Sequence, residues 1–122
     1  MHIIPNGKGG WPMKSLSSCD FQSSPINGLM SLADASALIT GGSPLAISGT
    51  ANALDALPHG NWIGGSTPDF MTSEGGKIVG DDQVFVTDLS AMGTVQIAHY
   101  DAHELHLISE NGPENGFSLT II

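Results

Sequence analysis

The sequence predicts an α+β, or mixed α/β, fold with one mixed sheet and about three short helices. Three observations carry that reading. Helix-capping residues recur at Ser31, Thr50 and Asp101, each ahead of a helix-forming stretch. β-Branched and aromatic runs lie between and after them, Gln83-Val84-Phe85-Val86-Thr87 being the clearest. A Ser73-Glu74-Gly75-Gly76 turn sits between two short apolar segments, so a hairpin is mixed with helix-linked strands.

In chain order, residues 1–28 read as an irregular N-terminal arm. Pro5, Gly7, Gly9, Gly10, Pro12, Pro25 and Gly28 punctuate it, with Trp11 and Phe21 as packing anchors and Cys19 as a lone thiol. Residues 29–122 read as a single domain, a portion of a longer family chain. Ser31 caps a first helix with Asp34 in its first turn, where a negative charge suits the helix dipole. Leu32, Ala35, Leu38 and Ile39 form its apolar face, and Gly41-Gly42 ends it. Leu45-Ala46-Ile47 is a short buried strand. Thr50 caps a second helix from Ala51 to Leu57, stopped by Pro58 and Gly60.

Asn61-Trp62-Ile63 reads as a strand that enters a Gly64-Gly65 turn. Phe70-Met71-Thr72 and Lys77-Ile78-Val79 form the hairpin, and Thr94-Val95-Gln96-Ile97-Ala98 alternates as a half-buried strand does. Asp101 opens a third helix, Ala102 to Glu110, with Glu104 at the capping-box position and Ala102, Leu105 and Ile108 inward. Phe117 to Ile122 is a last strand without a polar tail. Left at an open edge, such a strand is a template for a second copy, so a homodimer is expected.

Composition narrows the partners. Of 122 residues only 12% are charged, and 12 acids stand against 3 lysines for a net charge of −9. Arginine is absent, and from Asp20 onward Lys77 is the single basic side chain apart from histidine. Phosphate contacts need clustered Lys and Arg, so nucleic acid and anionic membrane surfaces are poor partners. A small neutral or cationic ligand suits the charge better. One cysteine permits no intrachain disulfide. No run approaches a membrane span, and the N-terminus lacks a signal-peptide core. The expected setting is the cytoplasm.

Two groups of residues are candidates for chemistry. Trp62, Gly64, Gly65, Ser66 and Phe70 combine a large indole, backbone freedom and an aromatic ring, as a ligand-binding segment would, and Met71 joins Trp62 and Phe70 as a candidate pocket lining. The competing reading is core packing with a close backbone approach, the commoner fate of such residues. Gly64-Gly65-Ser66-Thr67 lacks the lysine and spacing of a phosphate loop and the pattern of a nucleophile elbow. His59 would serve Ser66 as a base only if the fold joined them. His103 and His106 lie a turn apart with Glu110 continuing the stripe and His99 upstream, a ligand set for a divalent metal. The competing reading is a solvated histidine face. Asp69, Glu74 and Asp81-Asp82 lack the alternation of a calcium loop and read as solvated turns. No cofactor and no catalytic residue is predicted.

Leu57-Pro58-His59-Gly60-Asn61-Trp62-Ile63-Gly64-Gly65, followed by Pro68, Phe70-Met71, Gly75-Gly76 and Val84-Phe85-Val86-Thr87, resembles an uncharacterised bacterial family. Its members read close to GNWIGGTIPYFM here. The resemblance runs from about Leu29 to Asn115-Gly116-Phe117-Ser118. It implies a longer chain loosely similar to FIST-type sensory domains, which bind small ligands. Ser66, Thr67 and Asp69 depart from the pattern. Asp69 stands where the family has an aromatic residue, which counts against an apolar ligand contact there. The resemblance implies no catalytic residue. The expected function is a non-catalytic small-molecule sensor or binding module. The alternatives are a metal-binding protein or metal-dependent enzyme using residues 99–110, and a structural or assembly module.

Overall fold

The computed structural model describes residues 2–4 and 26–122. The chain divides into two compact units. The larger holds Pro25–Leu89 and Ile121; the other holds the N-terminal strand, Ser90–Thr120 and Ile122. The class is α+β, as the sequence predicts. The candidate packing anchors Trp11 and Phe21, and the thiol of Cys19, fall outside the described residues.

The larger unit is a mixed sheet of four strands. They are β2 (Asn27–Ser31), β3 (Leu45–Gly49), β4 (Trp62–Ser66) and β7 (Gln83–Asp88), in the order β2-β7-β3-β4. β3 and β4 run parallel, Leu45 beside Trp62 and Ile47 beside Gly64; β7 is antiparallel to both its neighbours. A parallel pair needs a crossover, and α2 (Ala51–Asp55) supplies it. β5 (Asp69–Thr72) and β6 (Gly75–Ile78) form a separate antiparallel hairpin.

Helix α1 (Leu32–Thr40) begins where the caps predict. The Ser31 hydroxyl accepts the Asp34 N–H at 3.2 Å. Ala35 and Ile39, one turn apart, are buried. At its end the Gly41 N–H donates to the Ala37 carbonyl and Gly42 takes φ 85°, a backbone that favours glycine. Thr50 caps α2 by accepting the Ala53 N–H at 3.1 Å. Ala35, Ile39, Leu45, Ile47, Ala53, Leu57, Val84 and Val86 make one core, with Met30, Leu32, Leu38, Leu54 and Trp62 packed against it. Each fully buried Leu, Ile or Val contributes about 1.5–3 kcal/mol relative to exposure. The alternation in β3 and β7 delivers four of them, Leu45, Ile47, Val84 and Val86, to one face.

The second unit carries a three-stranded antiparallel sheet, β8-β1-β9. Its strands are β1 (His2–Ile4), β8 (Thr94–Gln96) and β9 (Phe117–Ser118). The stretch read as an irregular arm therefore begins with a strand. The third helix is not continuous: a 3-10 turn at Ala102–Glu104 is followed by α3 (Leu107–Glu110). The Glu104 carboxylate does accept the Asp101 N–H, at 3.2 Å. The reason for the break is packing. Ala102 and Leu105, meant to face inward, are exposed, Leu105 by 46%. So short a helix without a buried face is marginal. The last strand also stops early: Leu119 to Ile122 form no strand and are exposed.

Gly64-Gly65 is not a turn either; both residues lie inside β4, and neither has positive φ. Gly64 is where a backbone comes close. A Cβ there would lie 2.4 Å from the Ile47 carbonyl oxygen and 2.9 Å from the Trp62 ring. A Cβ on Gly65 meets only Ile121 Cγ2, at 3.3 Å. Gly64→Ala should therefore lower stability by about 1–3 kcal/mol, because a carbonyl in a strand yields less than a side-chain methyl. Gly65→Ala should cost clearly less. Denaturant melts of the two variants check the order.

Candidate functional site

The central segment is built on β4. Trp62 leans its ring on the core while its indole N–H donates to the Pro58 carbonyl at 2.9 Å. Gly64 admits the ring and the Ile47 carbonyl together. Trp62 and Gly64 thus pack as part of the sheet, the competing reading that the sequence left open. Ser66 is exposed, and among the described residues no hydrogen bond joins it to the exposed His59.

Phe70 has a different place. It stacks on Phe85 of β7 with centroids 5.5 Å apart and rings 9° from parallel. The hairpin that carries it is tied at its tip. Thr72 Oγ1 donates to the Gly75 carbonyl at 2.8 Å and accepts the Glu74 N–H at 3.2 Å, while Gly75 takes φ 110°. Lys77 Nζ meets Glu74 Oε2 at 2.6 Å. Both side chains are exposed, so that pair adds little to stability.

Asp69, Phe70, Met71, Gly76, Lys77 and Ile78 line a shallow cleft of about 360 Å³. Met71 and Ile78 are 80% and 81% exposed, an unusual state for two large apolar side chains on one short hairpin. Their strand partners explain how they sit together. Asp69 lies opposite Ile78 and Met71 opposite Gly76, so all four share one face. The cleft has an apolar surface, one carboxylate and one ammonium. Of the residues the sequence offered for a ligand pocket it gathers Phe70 and Met71, and not Trp62, Gly64, Gly65 or Ser66. Ile78 was missed because strand alternation alone does not tell which face of a two-stranded ribbon is covered.

His103 sits in the 3-10 turn, His106 just before α3 and Glu110 at its end, all exposed. The break at Leu105 removes the single helical stripe that the spacing assumed. Among the described residues no three His, Cys, Asp or Glu side chains gather as a metal-holding group.

One carboxylate does have a built environment. Asp81, in the turn between β6 and β7, accepts the Thr50 hydroxyl and, at 3.0 Å, the Asn52 amide. These bonds tie that turn to the start of α2. The Thr50 hydroxyl bond first, and the Asn52 bond second, hold the Asp81 carboxyl below its ordinary value of 3.8. The partners lie 31 and 29 residues away in sequence, which is why pattern reading saw only a solvated turn.

The comparisons with known proteins add one fact. The chain belongs to a family of unknown function (DUF6976), whose model matches residues 30–122. The resemblance to an uncharacterised family is borne out at that level. No curated protein and no solved structure matches the chain significantly. No helix among the described residues is long and apolar enough to cross a membrane.

Two predictions follow from this geometry. Trp62→Ala should cost about 3 kcal/mol, the lower end for losing a large aromatic, because Trp62 is only half-buried; a denaturant melt measures it. Asp81 should make stability acid-sensitive. A depressed folded-state pKa contributes stability that is present above 3.8 and is lost as pH falls through the lower folded value. Asp81→Asn should flatten that part of the acid limb in melting temperatures taken across pH 2 to 6 (roughly the carboxylate range) and leave the slope at neutral pH unchanged.

Proposed function

We propose that the chain is a non-catalytic binding module whose contact surface is the β5–β6 hairpin. The single observation that carries this is the hairpin cleft, lined from both strands, with Met71 and Ile78 exposed on the face opposite the Phe70 stack. Its volume falls near the lower end of small-molecule sites, about 300 Å³ and upward. An apolar wall with Asp69 at its rim favours a small neutral or cationic organic ligand, and the net charge of −9 works in the same direction. The resemblance read in the sequence to FIST-type sensory domains points the same way. The setting we infer is the cytoplasm, in keeping with the lone cysteine.

A thermal-shift screen against amino acids and small organic amines tests this reading. A ligand at this cleft should raise the melting temperature by mass action. Met71→Ser together with Ile78→Ser should abolish that rise without lowering the melting temperature of the free protein, since neither side chain is buried. Phe70 is the poorer probe, because its loss also removes the stack on Phe85. No shift with any compound, or a shift that survives the double substitution, would place binding elsewhere.

A further inference from the structure

We infer that the outer edge of β4 is a self-pairing edge, on which a second copy of this chain adds antiparallel to form one continuous sheet. The surface is distinct from the hairpin cleft. β4 ends the sheet order β2-β7-β3-β4. The phase of its bonds is set at both ends: the Leu45 N–H donates to the Asn61 carbonyl at 3.0 Å, and the Thr67 N–H donates to the Gly49 carbonyl at 2.8 Å. Groups alternate along a strand, so Asn61, Ile63, Gly65 and Thr67 turn toward β3. Trp62, Gly64 and Ser66 turn their N–H and C=O outward, and none of the three has a further backbone partner among the described residues.

These three outward residues are spaced symmetrically about Gly64. An antiparallel two-fold through Gly64 therefore sets Gly64 opposite Gly64 of the partner subunit and Trp62 opposite Ser66 of the partner subunit. Each is a hydrogen-bonding pair, so the register is self-complementary, as a two-fold interface requires. The strand itself, Trp62-Ile63-Gly64-Gly65-Ser66, holds no charge and no proline. It lacks the devices that usually keep an edge from pairing. That matters in a chain of net charge −9, where most contacts between copies would be repulsive. The other edge is less suited. β2 runs directly into α1 at Leu32, and Asp34 lies in the first turn, so a strand laid along it meets a helix end and a carboxylate.

The test combines mass with amide exchange on the full chain. Sedimentation should give a two-chain mass at high concentration that dissociates on dilution. In the dimer the amides of Trp62, Gly64 and Ser66 should exchange slowly and speed up on dilution, while those of Ile63 and Gly65 stay slow throughout. Ser66→Pro removes one outward donor and leaves the bonds to β3 intact, since the Ser66 N–H faces away from β3. It should raise the dissociation constant by roughly tenfold or more, while Thr40→Lys, on the exposed end of α1, should not. If Ser66→Pro does not fold, the exchange pattern of the unmodified protein decides alone. A single-chain mass at every concentration overturns the inference. So does a dimer in which those three amides stay fast, or one that a folded Ser66→Pro protein still forms equally well.

Discussion

The carbonyl of Ile47 leaves no room for a side chain at residue 64, and much of the larger unit depends on that contact. Because Gly64 has no Cβ, β4 can lie close against β3 in parallel register. Because β4 lies there, the Trp62 ring covers Gly64 and reaches the core, and its N–H finds the Pro58 carbonyl where α2 has ended. The short crossover through α2 is then closed at both ends. Thr50 holds the start by its cap, and the Trp62 bond holds the exit. A glycine here is a packing requirement, since the φ of Gly64 is not in the left-handed region.

Around this sheet the stabilisation is unevenly shared. Most of the buried apolar side chains belong to α1, α2, β3 and β7; Leu57 follows α2, and Val79 and Leu89 bracket β7 in sequence. Polar ties hold what the core does not reach. Asp81 pins the β6–β7 turn to α2, and Thr87 Oγ1 donates to Asn27 Oδ1 at 2.9 Å across β2 and β7. The hairpin β5–β6 rests on one aromatic stack and leaves its other face uncovered. A two-stranded ribbon is marginal by itself, so Phe70 on Phe85 is what orders the surface that carries Met71 and Ile78. The order needed for packing and the exposure useful for binding thus fall on opposite faces of the same four-residue strands.

Local chemistry was legible wherever the partners are near in sequence. The Ser31 and Thr50 caps, the Gly41-Gly42 stop and the hairpin turn at residues 73–76 all rest on neighbours within a few residues, and all form. The β7 strand was legible because its alternation is strong. The third helix was misread because periodicity names an apolar face without saying whether anything covers it. The Gly64-Gly65 pair was misread as a turn because paired glycines serve equally where a backbone must come close. The site was the least legible part. Phe70 and Met71 alone among the predicted residues line the cleft, and neither Asp81's partners nor the exposure of Met71 and Ile78 has a sequence pattern.

By itself the sequence determined the α+β class, the cap positions, the hairpin and the core strands, because each follows from residue type and short-range spacing. It also determined the charge that disfavours nucleic acid. Tertiary structure alone decided that Gly64 faces the Ile47 carbonyl, that β4 ends the sheet, that Leu105 stays exposed and that residues 102–110 break in two. The physical reason is common to all four. Each depends on which distant segment lies alongside, and side-chain period carries no information about that.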